Sequence, residues 1–170
     1  FTVNTFGGRV DAATQIKDAI LDSKVPTVAF INKRAISAGA LISLSCEKIY
    51  MTGGATIGAT TAVDMSGNKA SEKVISYMRE EMAATAEKRG RNKHIARGMV
   101  DEELEFPSKV KNEYVTSDDE IDTVKTIIYY LIMDNDTIYV DDIEGRKQGN
   151  LITLTTEQAL KYKIADRSAD

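Results

Sequence analysis

The stretch Arg34-Ala35-Ile36-Ser37-Ala38-Gly39-Ala40 constrains the fold of this chain more than any other. The apolar run Val25-Pro26-Thr27-Val28-Ala29-Phe30-Ile31 precedes it and reads as a buried strand. Leu41-Ile42-Ser43-Leu44 follows and reads as a helix over about 37–46. A strand that runs through small residues into a helix is half of a repeating βα unit. The same grammar occurs upstream. Phe1 to Asn4 reads as a strand that ends in Thr5-Phe6-Gly7-Gly8. A helix follows, with Val10, Ala13, Ile16 and Ile20 on one face. Lys48-Ile49-Tyr50-Met51 is a third short strand, and Thr52 to Ala59 a glycine-rich loop. The order strand–helix–strand–helix–strand predicts an α/β fold with parallel strands and right-handed crossovers.

Further along, the spacing predicts a long helix over about 71–89, with Val74, Tyr77, Met78, Met82 and Thr85 on one face and Gly90 stopping it. A shorter helix covers about 93–100. Residues 104–148 differ in character, with a charge cluster at Asp118-Asp119-Glu120 and a turn at Asn135-Asp136. Ile121, Val124, Ile127, Ile128, Leu131 and Ile132 fit helical spacing, so 121–132 is expected to be helical. The β-branched residues and tyrosines there argue the other way. A strand is expected at 137–141. Thr155 and Gln158 form a capping-box pattern that opens a last helix to about 162, and Ile164-Ala165 reads as a final strand.

With 170 residues and 42 % apolar content, the chain can bury a sizeable core. A formal net charge of -4 and no basic block with interleaved aromatics argue against nucleic acid as a partner. Cys46 is the only cysteine, so no internal disulfide forms, and its apolar surroundings mark it as core. One histidine and one cysteine cannot build a zinc cage, and no cofactor is implied. No apolar run is long enough to cross a bilayer, so the piece itself is expected to be soluble. The start at Phe1, inside a strand, reads as a cut from a longer protein.

Ser37 stands where a strand meets a helix, a position that can present a hydroxyl to a substrate. The backbone N–H of Ala38, at the helix N-terminus, can face developing negative charge, and the Gly7-Gly8 turn can supply a second donor from Gly8. On position alone Ser37 reads as an N-cap residue that satisfies the first N–H groups of the helix. Ser43 and Ser45 lie deeper in the helix and read as packing residues. His94 opens a short polar helix and reads as solvated.

Five segments, in order, resemble one family. Asn4-Thr5-Phe6-Gly7-Gly8-Arg9-Val10-Asp11-Ala12 is similar to the first glycine turn of ClpP-class serine proteases. Ile36-Ser37-Ala38-Gly39-Ala40 is similar to their nucleophile turn, with Ile36 in place of an alanine. Lys48 to Met51 with Gly54 to Ala59 resembles the next strand and loop. Ala86 to Asn92 and Leu154 to Lys161 resemble the NfeD-type membrane-bound branch, related to signal peptide peptidase A.

The resemblance implies a ClpP/crotonase-type spiral of βα units that lacks its leading unit. Residues 1–103 and 149–170 would form the protease-like domain, and 104–148 an inserted element of unknown role. It implies a Ser–Lys dyad, with Ser37 as nucleophile and Lys73 as base, counted back from Gly90-Arg91-Asn92. Lys69 is the rival base. Gly8 and Ala38 would form the oxyanion hole. The implied substrate is an apolar or membrane-associated polypeptide. The parent would be membrane-anchored with its protease domain extracytoplasmic. A homo-oligomer is expected, with the strand at 1–4 and the run 127–132 as contact surfaces. Two other readings stay open, a crotonase-like acyl-coenzyme A enzyme that needs no Ser37, and a catalytically silent scaffold that docks membrane partners.

Overall fold

The computed structural model describes residues 1–64, 66–117 and 120–169. Asp118 and Asp119 of the expected charge cluster lie outside the described residues. The chain begins with β1 (Thr2–Thr5), α1 (Val10–Leu21), β2 (Val28–Ile36), α2 (Ala38–Ser45) and β3 (Lys48–Met51). β1 and β3 both run parallel to β2, as the alternating order predicts. The glycine-rich loop also contains a short strand that the sequence reading missed, β4 (Thr56–Gly58), parallel to β2. β2 is long enough to serve two neighbours on one edge. Val28 to Ile31 pair with β3, and Arg34 to Ile36 pair with β4. β1 lies along the opposite edge.

Helix α3 (Glu72–Lys88) and helix α4 (Lys93–Gly98) follow. Asn92 caps α4 by accepting from the His94 and Ile95 N–H groups. The chain closes with β8 (Thr153–Thr155), α5 (Thr156–Lys161) and β9 (Arg167–Ser168). The Thr155–Gln158 capping box is formed as expected. β8 joins β4 antiparallel and β9 joins β3 parallel, so the sheet is mixed. The final strand is Arg167–Ser168 rather than Ile164-Ala165, which is a buried turn beneath it.

Two helical faces differ from the periodic reading. On α1, Ile16 is exposed and Lys17 turns inward, its ammonium held by Asp18 at 2.6 Å and by Glu81 of α3 at 2.9 Å. On α3, Ile75, Met78, Met82 and Ala86 face the core, while Val74 and Tyr77 are exposed.

Residues 121–132 are a strand, not a helix. β5 (Ser108–Ser117), β6 (Glu120–Met133) and β7 (Asp136–Val140) form a separate three-stranded antiparallel sheet. The β-branched content won because β5 and β7 supply ladders on both sides of β6. The turn into β7 is Asp134-Asn135, both at positive φ, as a tight two-residue hairpin requires. Tyr129, Leu131 and Val140 at the inner end join the main core, while every residue of β5 is exposed.

The carboxylate of Asp166 ties the closing segment to β3. It accepts from the Ile49 N–H at 2.9 Å and from Lys48 and Arg91 at 3.0 and 3.3 Å. Partial burial alone would raise its pKa, but these donors outweigh it and hold the pKa below the ordinary value. A carboxylate with a depressed folded pKa stabilises the fold above its unfolded pKa of about 3.9, and that contribution is lost as pH falls through the folded value. Thermal melts are therefore expected to be flat near neutral pH and to drop below about pH 4. Asp166→Asn should lower the melting temperature at pH 7 and flatten the acid limb. An unchanged acid limb would contradict this assignment.

Candidate active site

Three parallel strands end at one place. β1 runs into Phe6-Gly7-Gly8, β2 into Ser37, and β4 into Ala59-Thr60. Segments just past these carboxyl ends line one cavity of about 830 Å³, Gly8 to Asp11, Ser37-Ala38 and Thr60 to Asp64. Tyr77 and Met78 of α3 close its far wall. The space outside the carboxyl ends of parallel strands is where open α/β sheets bind ligands.

Ser37 occupies the junction in a strained conformation, φ 57° and ψ -116°. A non-glycine residue at positive φ costs of order 1–3 kcal/mol and persists only where its surroundings hold it. Here they do so through the backbone. The Ser37 N–H donates to Gly58 O at 3.0 Å, and the Ser37 carbonyl accepts the first helical bond, from Ala40 N at 2.9 Å. The Ser37 side chain makes no capping bond to α2, although this position favours serine as an N-cap. Its hydroxyl is thus not committed to the helix.

The first turn lies directly over it. Gly7 has φ 131°, and a Cβ there would lie 2.9 Å from the Ser37 Cβ and 3.3 Å from its Oγ. A Cβ on Gly8 would lie 4.0 Å from the Ala38 Cβ. The structure thus brings Gly8, Ser37 and Ala38 together on one wall. The first N–H groups of α2, beginning with Ala38, have no intrahelical acceptor.

Thr5 couples the two turns. Its hydroxyl accepts from the Gly7 N–H at 3.1 Å and donates to the Gly7 carbonyl at 3.2 Å. Its methyl packs on Gly39, where a Cβ would sit 2.5 Å away. In the sequence Thr5 is only one letter of the glycine-turn motif, because its packing on Gly39 lies far along the chain. Thr14 and Thr60 carry no local signal either. Both line the cavity, and their hydroxyls are buried without a hydrogen-bond partner among the described residues.

The two lysines part company. Lys69 donates to Glu102 at 2.6 Å, and that hydrogen bond raises its pKa and favours its charged form. Lys73 is exposed on the first turn of α3 and is not among the residues lining the cavity. It precedes Tyr77 by one helical turn and so shares the helix face that reaches the cavity. His94 is exposed on α4, as expected. Ser43 and Ser45 are fully buried packing residues, as is Cys46.

Gly7→Ala is expected both to strain the turn, since φ 131° disfavours a side chain, and to displace Ser37, since the new methyl meets the serine. If Ser37 is the reacting group, as proposed below, turnover should fall by about 100-fold. Near wild-type turnover in Gly7→Ala would contradict the contact.

The sequence of the NfeD1b N-terminal domain, taken as a family, matches residues 1–125. This chain belongs to the NfeD1b N-terminal domain family. Membrane protein NfeD1b of Bacillus subtilis strain 168 is 41 % identical over 103 residues, covering 61 % of this chain and 24 % of that protein. Membrane-bound protease PH1510 of Pyrococcus horikoshii is 29 % identical over 120 residues, covering 66 % of this chain and 27 % of that protein. The chain therefore spans about a quarter of the length of these two relatives. Two solved structures share its fold. A lysine-to-alanine mutant of the 1510-N membrane-bound stomatin-specific protease, with a bound substrate peptide, superposes with TM-score 0.66 at 23 % identity over 99 % of this chain and 58 % of that one. A serine-to-alanine mutant of the same protease gives 0.63 at 24 % identity over 98 % and 61 %. Among the described residues, no helix is long and apolar enough to cross a membrane.

Proposed function

We propose that this chain is a serine endopeptidase domain that uses a Ser37–Lys73 dyad within a ClpP-type spiral. One observation carries the reading: Ser37 is held at positive φ between strand and helix, its hydroxyl uncommitted to the helix and close to Gly7. An N-cap serine has no need of that strain.

The Ser37 Oγ attacks the peptide carbonyl carbon while the Lys73 amine takes its proton. The tetrahedral oxyanion accepts from the Gly8 and Ala38 N–H groups. The intermediate collapses, the C–N bond breaks, and Lys73 returns the proton to the leaving amine. Water then attacks the acyl-enzyme by the same route and frees Ser37. Each oxyanion donor is worth about 3–4 kcal/mol of transition-state stabilisation. A lysine can act as base only when neutral, which needs desolvation. Substrate filling the cavity beside Tyr77 would exclude water from the Lys73 face of α3.

Arg9 and Asp11 pair with each other at 2.6 Å, and beside the polar Gln15, Asp64 and threonines the wall carries the apolar Val10, Ala13, Ala62, Val63 and Met78. That lining suits apolar polypeptide segments. The named relatives are membrane proteins, and one is described as specific for stomatin. The substrate class proposed here is accordingly a membrane-associated polypeptide, cut on the extracytoplasmic side.

The test is labelling with a fluorophosphonate probe. Wild type should be labelled on Ser37, and Ser37→Ala should not be. Labelling that survives Ser37→Ala, or none in wild type under conditions where it cleaves peptide, would overturn the nucleophile.

A further inference from the structure

β5 is an edge strand with no shelter. It pairs with β6 alone, and among the described residues nothing hydrogen-bonds to its other edge. A long open edge invites pairing with another chain. The β5–β6 ladder also carries apolar side chains on one face. Val110 stands opposite Ile127, Tyr114 opposite Thr123, and Thr116 opposite Ile121. Val110, Tyr114, Ile121 and Ile127 are 58–76 % exposed, whereas Tyr129, two positions beyond Ile127 on the same face, is 7 % exposed. These apolar positions, interrupted by the Asn112–Lys125 pair, extend outward from the core.

We propose that β5 pairs antiparallel with β5 of a second copy of this chain, about a two-fold axis at Asn112. The sequence of β5, Ser-Lys-Val-Lys-Asn-Glu-Tyr-Val-Thr-Ser, selects this register. Antiparallel partners directly opposite one another must have the same parity, because each pair either exchanges hydrogen bonds or points them away. The axis must therefore fall on a residue. At Lys111 it would place two lysines face to face, and at Glu113 two glutamates. At Asn112 it sets Lys111 opposite the partner's Glu113 and Glu113 opposite the partner's Lys111, while the two Asn112 amides meet. On the other face Val110 meets the partner's Tyr114, extending the row begun by Ile127. Opposite charges and apolar pairs directly across a ladder are favourable, and like charges are not. A two-fold interface is self-complementary by construction, so both favourable pairs occur twice.

Lys111 already reaches Glu113 within its own strand, at 2.7 Å. Across the axis the same groups trade partners at no loss of charge pairing. Lys109 adds no repulsion, since it is engaged inside its own sheet by the Tyr139 hydroxyl at 2.6 Å. This assembly does not depend on the chemistry at Ser37.

The test is a charge swap read by sedimentation and native mass spectrometry. Wild type should dimerise within the micromolar range. K111E alone faces glutamate with glutamate, and E113K alone faces lysine with lysine. Each should weaken dimerisation at least tenfold. Mixed together, the two should form a heterodimer at near wild-type affinity, because each new charge then meets its opposite. A strand-internal role for the Lys111–Glu113 pair predicts no such rescue, since both chains keep their like-charged neighbours. Asn112→Cys gives a second reading. It should cross-link with its copy on oxidation, and Cys46 is fully buried and will not interfere. A monomer across the range, a dimer indifferent to both charge reversals, or no Asn112→Cys cross-link would each overturn the proposal.

Discussion

Ser37→Ala is expected to lower peptide hydrolysis by about 10⁴-fold or more, with the melting temperature within a few degrees of wild type. The magnitude follows from losing the only atom that can form the acyl-enzyme. The small stability change follows because the Ser37 hydroxyl makes no capping bond and the strained backbone is held by Gly58 and Ala40. Lys73→Ala should cost a similar factor at neutral pH, and the double variant little more than either single one. Groups that act as one unit lose their effect together. Lys69→Ala should retain activity, because its ammonium is engaged by Glu102. Full activity in Lys73→Ala with loss in Lys69→Ala would move the base.

Arg91→Met is expected to be the most destabilising single change outside the site. The guanidinium is buried and donates to the carbonyls of Leu44, Cys46, Glu47 and Ile164, and to the Asp166 carboxylate. Burial pulls its pKa down and Asp166 opposes the shift. Through these bonds one side chain closes the C-terminal end of the serine helix α2, the start of β3 and the closing segment. Methionine fills similar space but removes the donor from four carbonyls, while Asp166 keeps only Ile49 N–H and Lys48. Breaking one side of a buried ionic cluster costs about 3–5 kcal/mol. In a chain of this size that is a fall of roughly 10 °C in melting temperature. Arg91→Lys should recover only part of it, because an ammonium cannot span four acceptors. A melting temperature unchanged in Arg91→Met would refute this account of the Gly90-Arg91-Asn92 segment.

Local chemistry was legible in the sequence. The Gly7-Gly8 turn, the strand-to-helix step at Ser37, the Gly90 stop and the Thr155–Gln158 box each depend on residues within a few positions. Pairings across the chain were not. β4 and β8 are three residues each and lean on one another, so neither shows a period of its own. β6 satisfied two periodicities at once. Apolar residues on both faces near its inner end also fall at helical spacing, and only its partners β5 and β7 decide between them. The role of Arg91 was hidden in the same way. Its motif was readable, but its acceptors come from the end of α2, the Cys46-Glu47 link to β3 and the closing turn.

In the mechanism proposed, Ser37, Gly8 and Ala38 form one reacting centre served by Lys73. The most direct measurement is a crystal structure of the fluorophosphonate adduct. The account predicts phosphorus on the Ser37 Oγ. One phosphonyl oxygen should lie about 2.7–3.1 Å from both the Gly8 and Ala38 nitrogens. The Lys73 Nζ should lie within about 3.2 Å of the Ser37 Oγ. An adduct on another residue, or a phosphonyl oxygen facing solvent with Lys73 remote, would contradict it.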